Sequence, residues 1–152
     1  MDSRIAQRLI IGLASLLLAG CSSVGSHVSS GGGRAVTKAV FLEPVPSGMA
    51  TFTPRIVSCL ERHGFVFVNE TGADCLRLRF TYDPDVWHRT VEIELWDGNR
   101  PVVASRSVNP GWGNMLAQGS ATAHLAKTAS RSFEKHCEEW LKTVTLREPS
   151  TP

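Results

Sequence analysis

Asp83, Asp85 and His88 stand together in the run Tyr82-Asp83-Pro84-Asp85-Val86-Trp87-His88. A carboxylate beside an imidazole is what a general base or a metal site requires. Asp-Pro-Asp is also ordinary turn chemistry between two strands, and the turn is the preferred reading. A zinc site needs several Cys or His ligands at close spacing, and no such pattern occurs. A serine nucleophile on a Gly-x-Ser-x-Gly elbow is also missing. Gly111-Trp112-Gly113 followed by Gly119 superficially suggests a phosphate loop. It lacks the Lys-Ser/Thr pair of a nucleotide P-loop, and its glycine spacing is not that of a dinucleotide fingerprint. His27 is isolated in a Ser/Gly stretch, and His63 and His136 adjoin apolar stripes as edge histidines. The residues therefore nominate no catalytic group, metal ligand or cofactor site.

Cysteines and tryptophans carry more. Of four cysteines, Cys59 and Cys137 fall on the apolar faces of two expected helices, while Cys75 has polar-face parity at the start of an expected strand. Cys59–Cys137 is the favoured disulfide, with Cys59–Cys75 next and three unpaired thiols as the bland alternative. Trp87 and Trp112 fall in expected loops, and Trp96 has the polar-face parity of its strand. Each could cap the end of a core. Partly exposed tryptophans also suit a docking surface for a protein or a glycan. Trp140 lies on a helical apolar stripe and belongs to the core.

The amino terminus states an address. Arg4 and Arg8 precede the apolar run Leu9 to Leu18. A helix of about ten residues spans roughly 15 Å, half the hydrocarbon thickness of a bilayer, so this run suits a secretion signal and is too short for a permanent span. Leu18-Ala19-Gly20-Cys21 follows and resembles a bacterial lipobox. The resemblance implies cleavage between Gly20 and Cys21, with diacylglycerol on the Cys21 thiol and an acylated amino group. Only a thiol is nucleophilic enough for the thioether. Several acyl chains give stable anchoring at about 0.8 kcal/mol per buried methylene. Ser22, by resemblance to lipoproteins of two-membrane bacteria, implies the outer membrane, most simply facing the periplasm.

The 152-residue chain has a net charge of +2, and residues 1–20 carry +1 of it. The remaining 14 basic and 13 acidic side chains form no concentrated basic face, which argues against a nucleic-acid partner. The mature length suits one small domain. Ser22 to Ala35 is rich in Ser and Gly, and as a flexible tether it would reach about 20 Å. The organisation read from the sequence is a signal over 1–20, a lipidated cysteine and tether over 21–36, a domain over 37–145 and a flexible tail over 146–152.

Within the domain, Lys38 to Leu42 reads as a strand ended by Pro44 and Pro46. Thr53 as cap and Pro54 in the first turn open a helix through Ile56, Cys59, Leu60 and His63, stopped by Gly64. Phe65 to Val68 is a short strand. Leu76, Leu78, Phe80 and Tyr82 alternate with Arg77, Arg79 and Thr81, and Val91, Ile93 and Leu95 alternate with Glu92, Glu94 and Trp96. Both are half-buried strands. Asp97-Gly98-Asn99 is a hairpin turn and Pro101 to Val108 its return strand. Arg77 and Arg79 are expected to face Glu92 and Glu94 across the open side. A final helix over about 120–143 carries the stripe Leu125, Ala129, Phe133, Cys137, Trp140, Leu141, Val144.

Strand, helix, strand, three-stranded meander, helix predicts an α+β two-layer sandwich: a largely antiparallel sheet of about five strands with two helices on one face. This layout over roughly residues 38 to 143 resembles small proteobacterial lipoproteins of the DUF4136-like group, which implies a compact envelope domain and brings no catalytic residues. The functional expectation is a non-enzymatic, membrane-anchored accessory or scaffold component with an envelope protein partner. A small glycan- or lipid-binding domain is the alternative, and a hydrolase centred on Asp85 and His88 comes third.

Overall fold

The structure is a computed structural model that describes residues 23–29, 33–72, 74–85, 88–110 and 118–149. The signal segment, Gly20, Cys21, Trp87 and Trp112 lie outside the described residues.

Alternation of apolar and polar residues builds the centre of the sheet. Strand β5 (Leu76–Asp83) and strand β6 (His88–Asp97) pair antiparallel with Leu78 opposite Leu95 and Phe80 opposite Ile93. Strand β7 (Arg100–Pro110) returns through the two-residue loop Gly98-Asn99. Gly98 has φ +61°, the backbone that a tight hairpin with glycine at its first central position requires. A bulge between Leu95 and Trp96 shifts the β6–β7 register and lets neighbouring Val102 and Val103 both be buried.

Strand β3 (Ala39–Leu42) runs parallel to β5 and to the edge strand β4 (Val66–Val68). Helix α1 (Thr53–Arg62) crosses between β3 and β4, as a parallel pair demands. Gly64, at φ +85°, ends it in a Schellman arrangement: its N–H donates to Glu61 O at 2.9 Å and Phe65 N–H donates to Leu60 O at 3.2 Å. The expected Thr53 cap is corrected. Phe52 occupies the cap position, and buried Thr53 donates its hydroxyl back to Met49 O at 3.1 Å, fastening the helix to the 3-10 turn Ser47–Met49. That turn packs closely on β5, because a Cβ on Gly48 would stand 2.9 Å from the Tyr82 ring.

Helix α2 (Gln118–Leu141) covers the same face of the sheet, against β6, β7 and a first strand, β1 (Ser23–Val28). Ala126, Ala129 and Ser130 on α2 and Ser105 and Ser107 on β7 are all buried and small, so the two elements approach closely. Ser105 Oγ donates to Ala129 O at 3.0 Å across the contact. The core beneath the helices includes Ile56, Leu60, Leu78, Ile93, Leu125, Phe133 and Trp140.

The fold is the expected α+β layering, with a sheet of six strands in the order β1-β7-β6-β5-β3-β4. The sixth strand corrects the tether. Strand β1 (Ser23–Val28) lies antiparallel on β7, with Ser23 opposite Val108 and Val28 opposite Val103. Its Ser and Gly residues supply little side-chain driving force. What they offer is a backbone to satisfy the N–H and C=O groups along the outer side of β7, and Val28 packs on the core. A second correction concerns both domain boundaries. Strand β2 (Ala35–Thr37) pairs in parallel with strand β8 (Thr145–Arg147), so residues read as tether and as tail close a two-stranded sheet beside the main one.

Candidate interaction surface

The strands present two unlike faces. Opposite the helices, Arg77 and Arg79 on β5 stand beside Glu94 and Trp96 on β6, with Arg79 in register with Glu94 and Arg77 with Trp96. The sequence expectation of facing charges thus holds for Arg79 and Glu94, while Arg77 meets the indole. Glu92 instead faces Arg106 on β7, with their charged groups 3.1 Å apart.

The centre of this face is a fixed platform. The Arg79 guanidinium lies 5.0 Å from the Trp96 ring centroid and that of Arg77 lies 5.9 Å away. Both are within cation–π range. Glu43, just past β3, accepts from Arg79 Nε at 2.8 Å and from a terminal guanidinium nitrogen at 3.2 Å. This hydrogen-bonded pairing raises the Arg79 pKa above its ordinary value, with the nearby charges of Glu43 and Glu94 adding to it and burial opposing. Arg77 donates to Gly98 O at 2.6 Å, and Trp96 Nε1 donates to Glu94 at 3.1 Å. Such partly exposed pairs contribute little to stability. Their consequence is geometric: an indole and two guanidinium planes are held in one arrangement before any partner arrives. At the edge of the same face, Val66 is 53% exposed, the one large apolar side chain so exposed among the described residues.

Concave features also occur elsewhere among the described residues. A polar bowl of about 90 Å³ is lined by Arg34, Thr37, Asp74, Cys75, Asp97 and Arg147. Arg147 grips Asp74 through both guanidinium terminal nitrogens, one at 2.8 Å, and Arg34 lies 3.3 Å from Asp97. Each charge therefore meets its opposite, and the bowl ties the β2–β8 sheet to the end of the main sheet. A shallower apolar cleft of about 450 Å³ is lined by Val45, Ala50, Thr53, Pro54 and Val57.

The remaining sequence candidates are dispersed. Asp83 Oδ1 accepts the Asp85 backbone N–H at 3.1 Å, the expected turn chemistry, and Asp83, Asp85 and His88 are all exposed. Among the described residues no group of three or more Cys, His, Asp or Glu side chains could hold a metal ion. No helix among them is long and apolar enough to cross a membrane. His27 is exposed on β1, and His136 Nδ1 lies 2.6 Å from Ser132 O within α2.

Cys59 and Cys137 are both buried, on helices bridged by Arg55 and Glu134 at 2.6 and 2.7 Å. They are unbonded, which departs from the disulfide expected of them. Burial pushes the Cys59 thiol up, and burial followed by the neighbouring Cys59 pushes Cys137 up to about 12. Cys75 is half-buried at the polar bowl, where its thiol donates to Gly72 O at 3.2 Å. Sequence reasoning singled out Trp96 but missed Glu43 as its organiser. Glu43 lies beyond the end of β3, and only the parallel β3–β5 pairing brings it beside Arg79.

No protein-family profile matches the chain, and no curated protein matches it. Among solved structures it is similar to the PelC dodecamer from Paraburkholderia phytofirmans in two crystal forms. One is a point variant at 15% identity and TM-score 0.34, the other has 14% and 0.35, and each match covers 78% of this chain and 96% of that one. A minor lipoprotein from Acinetobacter baumannii is similar at 19% identity and TM-score 0.34, over 68% of this chain and 95% of that one. Identity this low transfers no residue role.

Proposed function

We propose that the chain is a bacterial lipoprotein anchored to the outer membrane through acyl chains on Cys21, where it acts as a non-enzymatic accessory or scaffold protein. The observation that carries the docking role is the preorganised open face, with Trp96 packed beside Arg77 and Arg79, and Arg79 clamped by Glu43. A protein surface of aromatic and guanidinium groups already held in place loses little side-chain entropy on binding. The anchor rests on the lipobox Leu18-Ala19-Gly20-Cys21 behind a charged start and an apolar run.

Crosslinking in intact cells followed by mass spectrometry tests the docking role. A specific envelope protein should be captured by the natural chain and lost with Trp96→Ala, while the domain stays folded. Undiminished capture by Trp96→Ala and by Arg79→Ala would overturn the assignment of this face. Cys21→Ser tests the anchor separately, by loss of acylation and of membrane fractionation.

The apolar cleft beside α1 favours a second reading, a binding site for a small apolar ligand such as a lipid. Its volume of about 450 Å³ falls in the range of ligand pockets. A thermal shift with a lipid panel that is lost in Val57→Asp would support this reading over the first.

A further inference from the structure

The first strand begins almost where the anchor ends. Only Ser22 separates Cys21 from Ser23, the first residue of β1. Two Cα–Cα steps reach at most about 7 Å. A lipidated Cys21 is therefore held within that distance of one particular end of the sheet, where a fourteen-residue tether would have left the domain free to tumble.

The strand register identifies that end. Ser23 is opposite Val108 on β7, and the β6–β7 pairing runs from His88 opposite Pro110 to Asp97 opposite Arg100. Asp83, at the finish of β5, is opposite Thr90. Helix α2 starts at this same end, since the Tyr82 hydroxyl lies 3.2 Å from Thr122 Oγ1. Exposed His124 and Lys127 lie on this half of the helix, exposed Arg131 near its middle, and exposed Lys135, Glu138 and Glu139 toward the other end. Asp83 and Asp85 also lie at the near end, with Asp83 turned back onto the Asp85 N–H. The opposite end holds the Asp97–Arg100 hairpin and the polar bowl.

Resting on the anchor reading above, we propose that the sheet end formed by Ser23, His88, Arg89 and Val108 lies against the phospholipid headgroups. The strands then stand away from the bilayer. At about 3.3 Å per residue, the ten residues of β6 hold the Asp97–Arg100 hairpin roughly 30 Å out. The open face with Trp96 and Arg79 is thereby turned sideways, parallel to the bilayer normal, where a neighbouring envelope protein can reach it.

Photocrosslinking to lipid tests the orientation. The full chain, processed in cells, is reconstituted in vesicles of phosphatidylethanolamine and phosphatidylglycerol. Benzoylphenylalanine is placed at position 88 in one preparation and at position 99 in another, replacing exposed His88 and exposed Asn99. Because the headgroup layer is only about 5–8 Å deep on each side, lipid adducts should be about tenfold more abundant at 88 than at 99. Equal yields, or an excess at 99, overturn the orientation. Exposed Asp85 and Arg100 give a second near–far pair should either variant fail to melt like the natural chain. The mass of the amino-terminal peptide separates the two hypotheses. Acylated Cys21 with no positional bias defeats the orientation alone, whereas an unmodified Cys21 defeats the anchor and the orientation together.

Discussion

The two faces of the central sheet are built by the same strands and obey different physics. Toward the helices, Leu76, Leu78, Phe80, Val91, Ile93 and Leu95 are removed from water. Between them, Arg77, Arg79, Glu92, Glu94 and Trp96 stay half-exposed and pair across the strands. Burial on the first face supplies the stability, since each fully buried large apolar side chain contributes about 1.5–3 kcal/mol. Ion pairs on the second face are worth about 0–1 kcal/mol each, so they set arrangement far more than stability. Damage to the covered face should therefore unfold the domain, and damage to the open face should leave it folded and unable to bind.

The sharpest break in this contrast is Phe133→Ala. Phe133 is fully buried on the inner face of α2, and its truncation should cost about 3–5 kcal/mol, read as a large fall in the urea midpoint. A cost under about 1 kcal/mol would show that the helix-covered face does not carry the stability.

A pH titration probes the same interior. The Cys137 thiol rises from its ordinary 9.0 to about 12, chiefly through burial. Between those values the unfolded chain has lost this proton and the folded chain keeps it. Stability conferred by the buried thiol is thus complete below about pH 9 and declines as pH rises toward 12, by roughly 1 kcal/mol per pH unit. Cys137→Ala should flatten that decline in thermal melts. In the native state at neutral pH, iodoacetamide should modify half-buried Cys75 first and reach Cys59 and Cys137 only on unfolding.

Between the extremes lies the hairpin that joins both faces. Gly98→Val forces a branched side chain to φ +61° and should cost about 1–3 kcal/mol, seen as a lower melting temperature. It also displaces the Gly98 carbonyl that accepts from Arg77, so partner capture should weaken along with stability.

Trp96→Ala should have the smallest effect on folding, within about 1 kcal/mol, because a cation–π contact on this half-exposed face is worth about 0.5–1 kcal/mol. Its effect on captured partner should be the largest of the set. A variant that unfolds the domain instead would erase the distinction between the faces.

Much of this contrast was readable along the chain. Period-two alternation from Leu76 to Tyr82 and from Val91 to Trp96 assigns each residue to a face without knowledge of its neighbours. Gly64 and Gly98 mark their stops because only glycine takes their backbone angles easily. Leu125, Phe133, Cys137 and Trp140 recur at helical spacing, and all four are buried. These signals are local, so a few consecutive residues suffice.

What escaped was every feature whose reason lies elsewhere in the chain. Ser23–Val28 has no strand-like composition and becomes a strand because β7 offers it an edge. Ala35–Thr37 and Thr145–Arg147 find each other across more than a hundred residues. Glu43 reaches Arg79 only through the parallel pairing of β3 with β5. By itself the sequence determined the α+β class, the face of each strand residue and the helix and hairpin stops, because side-chain periodicity and backbone sterics act over a few residues. Only the tertiary structure decided the strand order, the domain's true ends and the Glu43–Arg79–Trp96 platform, because backbone pairing is indifferent to side-chain type and joins whichever edges the fold brings together.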